Sequence, residues 1–392
     1  MSSVRIPHHR DRVSAVGADV DLTPTLAPRT MLARRFTSSF GLPLAVASIF
    51  GATACASASG TPSLQSASDP NYVEVVPKET DRRVDVLVGG KPFTAYVWPT
   101  SLKKPVLFPI HAANGVAVTR GYPLQPRPGE RVDHPHHAGL WFNYGDVNGL
   151  DFWNNSEAIK PEQASKYGTI THRSVRSVKS GVGEGVLEVT DEWVAPDNTP
   201  LLREDTRFVF RAAPGSRTID RITTLTALDR EVAFTDNKEG VLGLRVARQL
   251  EHPSLQPERF TDASGNATPV AKMDTAGVHG RYLSSEGKEG DAVWGTRGKW
   301  TMLKGDVNGT PVTVAILDHP KNWGYPTYWH ARGYGLFAAN PLGQKSLTNG
   351  KAEATNYKLA PKQSVTFRHQ VVVLDGLASA DDIGKRYAEF SR

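Results

Sequence analysis

The sequence predicts an all-β protein, a large antiparallel β-sandwich with a short C-terminal helix. Three observations carry this. Short segments rich in β-branched and aromatic residues recur over more than 300 residues from Tyr72 onward. Gly-Gly, Asn-Gly, Pro-Gly and Asp-Asn pairs punctuate them, as reversing strands require. Helical periodicity is scarce until the last residues.

The segments are YVEVV, RVDVLVGG, FTAYVW, GVLEVTDEWV, TRFVFRA, RTIDRITTLTAL, VTVAIL and SVTFRHQVVVL, several of them alternating apolar with polar. Alternation puts one face on a core and the other toward water. The clearest helix is SADDIGKRYAEF, with Ser379 as N-cap and Ile383, Tyr387 and Phe390 on one face. No break in composition divides 72–392, so it reads as one domain. GDVNG occurs at Gly145–Gly149 and Gly305–Gly309, and Asn-Gly turn chemistry accounts for the repeat without a duplication. Its opening is similar to a calcium loop but lacks the later bidentate glutamate.

Residues 1–30 precede a good start methionine and are set aside as a non-native extension. Residues 31–55 have the layout of a signal peptide: Arg34 and Arg35, an apolar run, then small residues. Cys55, the one cysteine, follows at once and is expected to carry a lipid. Residues 56–71 form a Ser/Pro-rich tether. The expected protein is exported to the periplasm and lipid-anchored to the outer membrane. With Cys55 spent, disulfides, thiolate metal sites and a cysteine nucleophile are excluded. The formal charge is +6, and about half leaves with the leader, which argues against a nucleic-acid partner. No later apolar run approaches the roughly 20 residues of a membrane helix. P-loop, G-x-G-x-x-G, G-x-S-x-G and C-x-x-C motifs are absent from the sequence.

Three blocks carry candidate chemistry. Asp133–His137 reads DHPHH, three imidazoles and a carboxylate in five residues. In an extended chain His134 and His136 share a face and could start a metal site, with His330 or an acid as third ligand. Pro135 interrupts such a strand, so proton transfer or substrate contact is the alternative. In the second block Lys238 and Glu239 occupy a polar turn before an apolar strand that holds Arg245. A charge there must meet a carboxylate or face a cleft. The third, Asp318–Gly343, crowds Trp323, Tyr325, Tyr328, Trp329 and Tyr334 around His319, His330 and Arg332, and reads as a loop system. Aromatic rings beside polar groups suit sugars. Trp141–Asn155, with Trp141, Asp146 and Trp153, has the same character.

DHPHHAGLWFNYGDVNGLDFW, NKEGVLGLRVARQLE and YPTYWHARGYGLFAANPLG resemble the bacterial PmoA-like proteins, from about Tyr72 to Val373. That label borrows the name of a methane monooxygenase subunit, a membrane protein, and methane oxidation is not expected here. The resemblance implies a fold similar to the galactose mutarotase-like supersandwich. PVLFPIHAANG is similar to an early strand of aldose epimerases. The resemblance to the PmoA-like proteins also implies family-invariant positions, with no catalytic role attached to them, at Asp133, His134, His136, His137, Trp141, Asp146, Lys238, Glu239, Arg245, His330 and Arg332.

The expected protein acts on a sugar or glycoside in glycan utilisation by acid/base chemistry, as an epimerase, lyase or hydrolase. A histidine among His134, His136 and His137 transfers a proton. Glu239, Asp146 or His330 is its partner. Arg245 or Arg332 holds a carboxylate or oxyanion, Lys238 lines the site, and Trp141, Trp153 and Trp329 stack on the ring. No cofactor is expected. The alternatives are a non-catalytic glycan-binding lipoprotein and a metalloenzyme with a divalent ion at the histidines. The partner is a small molecule or oligosaccharide, and the membrane is met only through the lipid.

Overall fold

The computed structural model describes residues 69–392 apart from Met273. The expectations for the extension, signal segment, Cys55 and most of the tether lie outside the described residues. Two large antiparallel sheets make up the domain. In order, the nine-stranded sheet runs Tyr328–Ala331, Leu336–Asn340, Gly240–Arg245, Leu140–Tyr144, Val106–Leu107, Lys91–Val97, Arg83–Val88, Tyr72–Lys78, Gly181–Val182. The eight-stranded sheet pairs the long strands Thr169–Lys179 through Ser216–Ala227 with Ser364–Asp375, Thr310–Asp318, Trp300–Val307 and Arg281–Ser284.

Alternation decides which side chains fill the space between the sheets. Leu140, Phe142 and Tyr144 point inward, as do Leu242, Leu244, Phe337 and Ala339. Phe142 meets Trp193 and Phe367 of the opposite sheet with ring centroids 6.5 and 5.8 Å apart. Burying a side chain of this size stabilises by about 1.5–3 kcal/mol. The sandwich is therefore built as the sequence predicts, and among the described residues no helix is long and apolar enough to cross a membrane.

The C-terminal helix, Ala380–Phe390, starts at Ser379, whose side chain and Asp382 form a reciprocal capping box. Ile383 anchors its apolar face on Trp300, Met302 and Leu317. The two GDVNG segments are both tight turns. Asn148 and Asn308 have φ of 52° and 54°, the following glycines 81° and 78°, the signature of an Asn-Gly hairpin turn. Asp146 and Asp306 each accept the amide of the turn glycine at 3.0 Å.

One reading needs correction. Asp318–Gly343 is not all loop: Tyr328–Ala331 and Leu336–Asn340 form an edge hairpin of the nine-stranded sheet. Its strands are only four and five residues long, too short for their alternation to stand out between the flanking Pro and Gly residues.

Candidate active site

The outer face of the nine-stranded sheet carries a cross-strand row. His330 pairs with Ala338, Ala338 with Gly243, and Gly243 with Trp141. Small residues in the middle let large ones meet. A Cβ on Gly243 would lie 2.4 Å from the Trp141 ring, so the indole rests directly on the glycine. Onto Trp141 the DHPHH segment folds as a turn. The amide of His137 donates to the carbonyl of His134 at 2.9 Å, with Pro135 at the second turn position. The imidazoles do not alternate, because the chain is not extended there. His137 stacks on Trp141 and His134 stacks on His137, with ring centroids 5.2 and 4.8 Å apart. Tyr334 covers the other side of His134 at 5.2 Å, tilted by 3°.

Arg120 holds this turn together. It is buried and donates to the carbonyls of Arg131, Asp133, His134 and His137 at 2.9 to 3.3 Å, and to the Asp133 carboxylate. Arg245 donates to the same Asp133 Oδ1 at 2.7 Å. It also stands 4.9 Å over the ring of Tyr334. Burial pushes the Asp133 carboxyl up, but the His134 hydrogen bond and the two guanidiniums outweigh it. Asp133 is held well below the usual carboxylate range. Its second oxygen, Oδ2, lies 2.9 Å from His134 Nδ1. An ionised carboxylate accepts only, so Nδ1 carries a proton, and in the neutral ring Nε2 is the bare lone pair. His134 sits at φ 42°, a left-handed backbone uncommon outside glycine. Its side chain is 42% exposed, whereas the other imidazoles of the cluster are buried.

His137 is enclosed. Trp153 Nε1 donates to its Nε2 at 3.2 Å, and Arg245 faces its Nδ1 at 3.2 Å. Burial, with His136 and Arg245 nearby, pushes its pKa far down, and the ring is neutral. His136 is likewise neutral through burial and the neighbouring Lys104 charge, and its buried Nε2 has no partner. His330 donates from Nδ1 to the carbonyl of Lys238 at 3.0 Å and accepts from Arg332 Nε at 3.3 Å. Burial pushes it down to about 3. Glu239 Oε2 lies 3.6 Å from His330 Nδ1, and its other oxygen pairs with Lys238.

The structure thus brings Asp133, His134, His136, His137, Trp141, Arg245, His330, Lys238, Glu239 and Arg332 to one face, and gives several of them other duties than the sequence suggested. Arg245 is fully buried and pairs with the Asp133 carboxylate, which leaves it turned away from any ligand. Asp146 is spent on its turn, as its twin Asp306 is. Trp141 and Trp153 are 0% exposed beneath the histidines. Trp329, also 0% exposed, points into the core because it alternates with His330. None of the three tryptophans can stack on a ligand. Among the described residues no group of three or more His, Cys, Asp or Glu is arranged to hold a metal ion. The imidazole nitrogens explain it: those of His137 and His330 face other partners.

Two cations went unnoticed in the sequence. Arg120 lies in VAVTRGYP, where the same argument applied to Arg245 (a charge after an apolar run) would have found it. Lys104, 4% exposed, donates to the carbonyl of His136 at 2.8 Å and stands 5.5 Å over the Trp141 ring. Burial pushes it down to about 7. No sequence signal separates it from its neighbour Lys103, which pairs with Glu157 at the surface.

The model of a family of unknown function, DUF6807, matches residues 83–388. No curated protein matches the chain. Among solved structures, it is similar to the galactosidase domain of the α-galactosidase–sucrose kinase AgaSK, at TM-score 0.37 and 10% identity over 77% of this chain. It spans only 42% of that protein. A galactose mutarotase-like protein from Clostridium acetobutylicum gives TM-score 0.31 and 10% identity over 78% of this chain and 99% of the other. Galactose 1-epimerase from Lactobacillus acidophilus gives 0.32 and 10% over 78% and 99%.

Proposed function

The chain belongs to the family of unknown function DUF6807, and we propose that it is an enzyme that moves a proton on a sugar or glycoside, with His134 as the proton-transfer group. The observation that carries this is the Asp133–His134 pair: a mostly buried, ionised carboxylate fixes the tautomer, and Nε2 is left at an exposed ring without a protein partner among the described residues. When Nε2 takes a proton, Asp133 stabilises the imidazolium without accepting the proton itself.

Of the partners considered, Glu239 fits best. Asp146 caps a turn, and both nitrogens of His330 are engaged. Glu239 is 15% exposed, paired with Lys238 and 3.6 Å from His330 Nδ1 at the same edge. Lys238 and Arg332 supply positive charge for a carboxylate or an oxyanion of the substrate. Epimerisation, elimination and hydrolysis all need this acid/base pairing. The carbohydrate class is the one implied by the resemblance to PmoA-like and galactose mutarotase-like proteins. The N-terminal sequence, with a lipidated Cys55, would place the reaction in the periplasm. A glycan-binding role without catalysis is disfavoured because the tryptophans that would serve it are covered.

The test is turnover on a panel of mono- and oligosaccharides, followed by His134→Gln on whichever substrate responds. Glutamine keeps a polar group at the place of the imidazole Nε2 but cannot cycle a proton. Turnover should fall by about 10²-fold or more with substrate affinity changed by less than about threefold. Unchanged turnover would remove His134 from the mechanism.

A further inference from the structure

Next to this edge lies a cavity of about 570 Å³, walled in part by Tyr334, Arg332, Trp294, His252, Asp291 and Ser254. That volume suits a sugar of one or two rings. Arg332 is its distinctive group. The guanidinium stands 4.7 Å from the Trp294 ring, and its Nε donates to His330 Nε2 at 3.3 Å. An indole face and a neutral imidazole therefore set its plane and its inner edge, and neither neutralises its charge. Among the described residues no carboxylate pairs with Arg332, and its two terminal nitrogens donate to no protein acceptor. Neither of them is buried. Arg131, also on the cavity wall, is instead closed by Glu251 at 2.6 Å and Glu258 at 3.6 Å.

A guanidinium held by its Nε edge presents its two terminal nitrogens end-on, a fork that matches a planar carboxylate. We propose that this cavity binds an acidic sugar, a uronic acid residue, whose carboxylate is held end-on by Arg332. The inference rests on the reading that the substrate is a sugar and names its class. Asp291, anchored 3.2 Å from His252 Nδ1, accepts from ring hydroxyls, as Ser254 can. The charge of Asp291 also opposes a second anionic group. Tyr334 lines the cavity and stacks on His134, so a sugar seated there lies beside the proton-transfer pair.

Calorimetry with the folded protein tests this. The probes are D-glucuronate and D-glucuronamide, which have nearly the same shape but differ in charge, with glucose 6-sulfate as a non-planar anion. Glucuronate should bind at least about tenfold tighter than the amide and tighter than the sulfate. Arg332→Gln should abolish the preference, and Arg332→Lys should recover only part of it, both with unchanged melting temperature. Equal affinity for acid and amide, tighter sulfate binding, or a preference that survives Arg332→Gln overturns the inference and leaves the sugar reading standing. Failure of every neutral and acidic sugar to bind overturns both.

Discussion

Arg120→Met is expected to cost about 3–5 kcal/mol of folding stability, the range for removing one partner of a buried ion pair. Methionine fills the apolar volume but donates nothing. The carbonyls of Arg131, Asp133, His134 and His137 then lose a common donor inside the protein, and Asp133 keeps only Arg245 and His134. Buried acceptors left without partners are costly. Arg120→Lys should lose less in stability, yet a single ammonium cannot span a fan of carbonyls, so the His134 backbone should relax from its left-handed conformation. Chemical denaturation measures the first effect. A loss below about 1 kcal/mol for Arg120→Met would mean that the turn holds itself.

Arg120 also marks where the sequence stopped being legible. The fold was readable because strand alternation and turn pairs repeat across the whole domain. His134, His330 and Arg332 were readable as candidate site residues because charge and imidazole sit beside aromatic residues in short runs, whereas Glu239 stood out only as a polar-turn residue and through the family resemblance. What the runs do not reveal is direction. In Tyr328–Ala331, neighbours Trp329 and His330 point to opposite faces, so adjacency in sequence suggested a contact with ligand that geometry denies to the tryptophan. At DHPHH the proline turn stacked rings that alternation would have separated. Arg120 and Lys104 come from segments remote from the motif, and only the fold brings them to it.

The second large effect concerns pH. Lys104 is a buried amine with no carboxylate partner among the described residues, lying against Trp141 and the His136 carbonyl. Burial pushes it from 10.5 down to about 7, against a weaker upward pull from Asp151. The sign follows from proton counting. Between about 7 and 10.5 the unfolded chain binds the proton and the native state does not, so stability rises with pH through that window. Below about 7 both states are protonated, and the buried charge destabilises the fold by its full amount. The gap between 10.5 and about 7 corresponds to about 5 kcal/mol. Lys104→Met removes the titrating group and keeps most of the volume. The stability of the wild type minus that of Lys104→Met should therefore climb by about 3 kcal/mol between pH 7 and 9.5 and stay flat below pH 6. Denaturant titrations of both proteins across this range measure it, and a difference independent of pH would show that the amine stays protonated in the fold.

The central claim is that Asp133 fixes His134 with its proton on Nδ1 and its bare Nε2 open to substrate. Nitrogen-15 NMR of histidine-labelled protein near pH 7.5 measures this directly, with His134→Gln identifying the resonance. The expected result is that the neutral His134 ring carries its proton on Nδ1 and that its Nε2 signal moves when a bound sugar occupies the site while that of His137 does not. A neutral His134 ring with its proton on Nε2, or a ring indifferent to every sugar that binds, would contradict it.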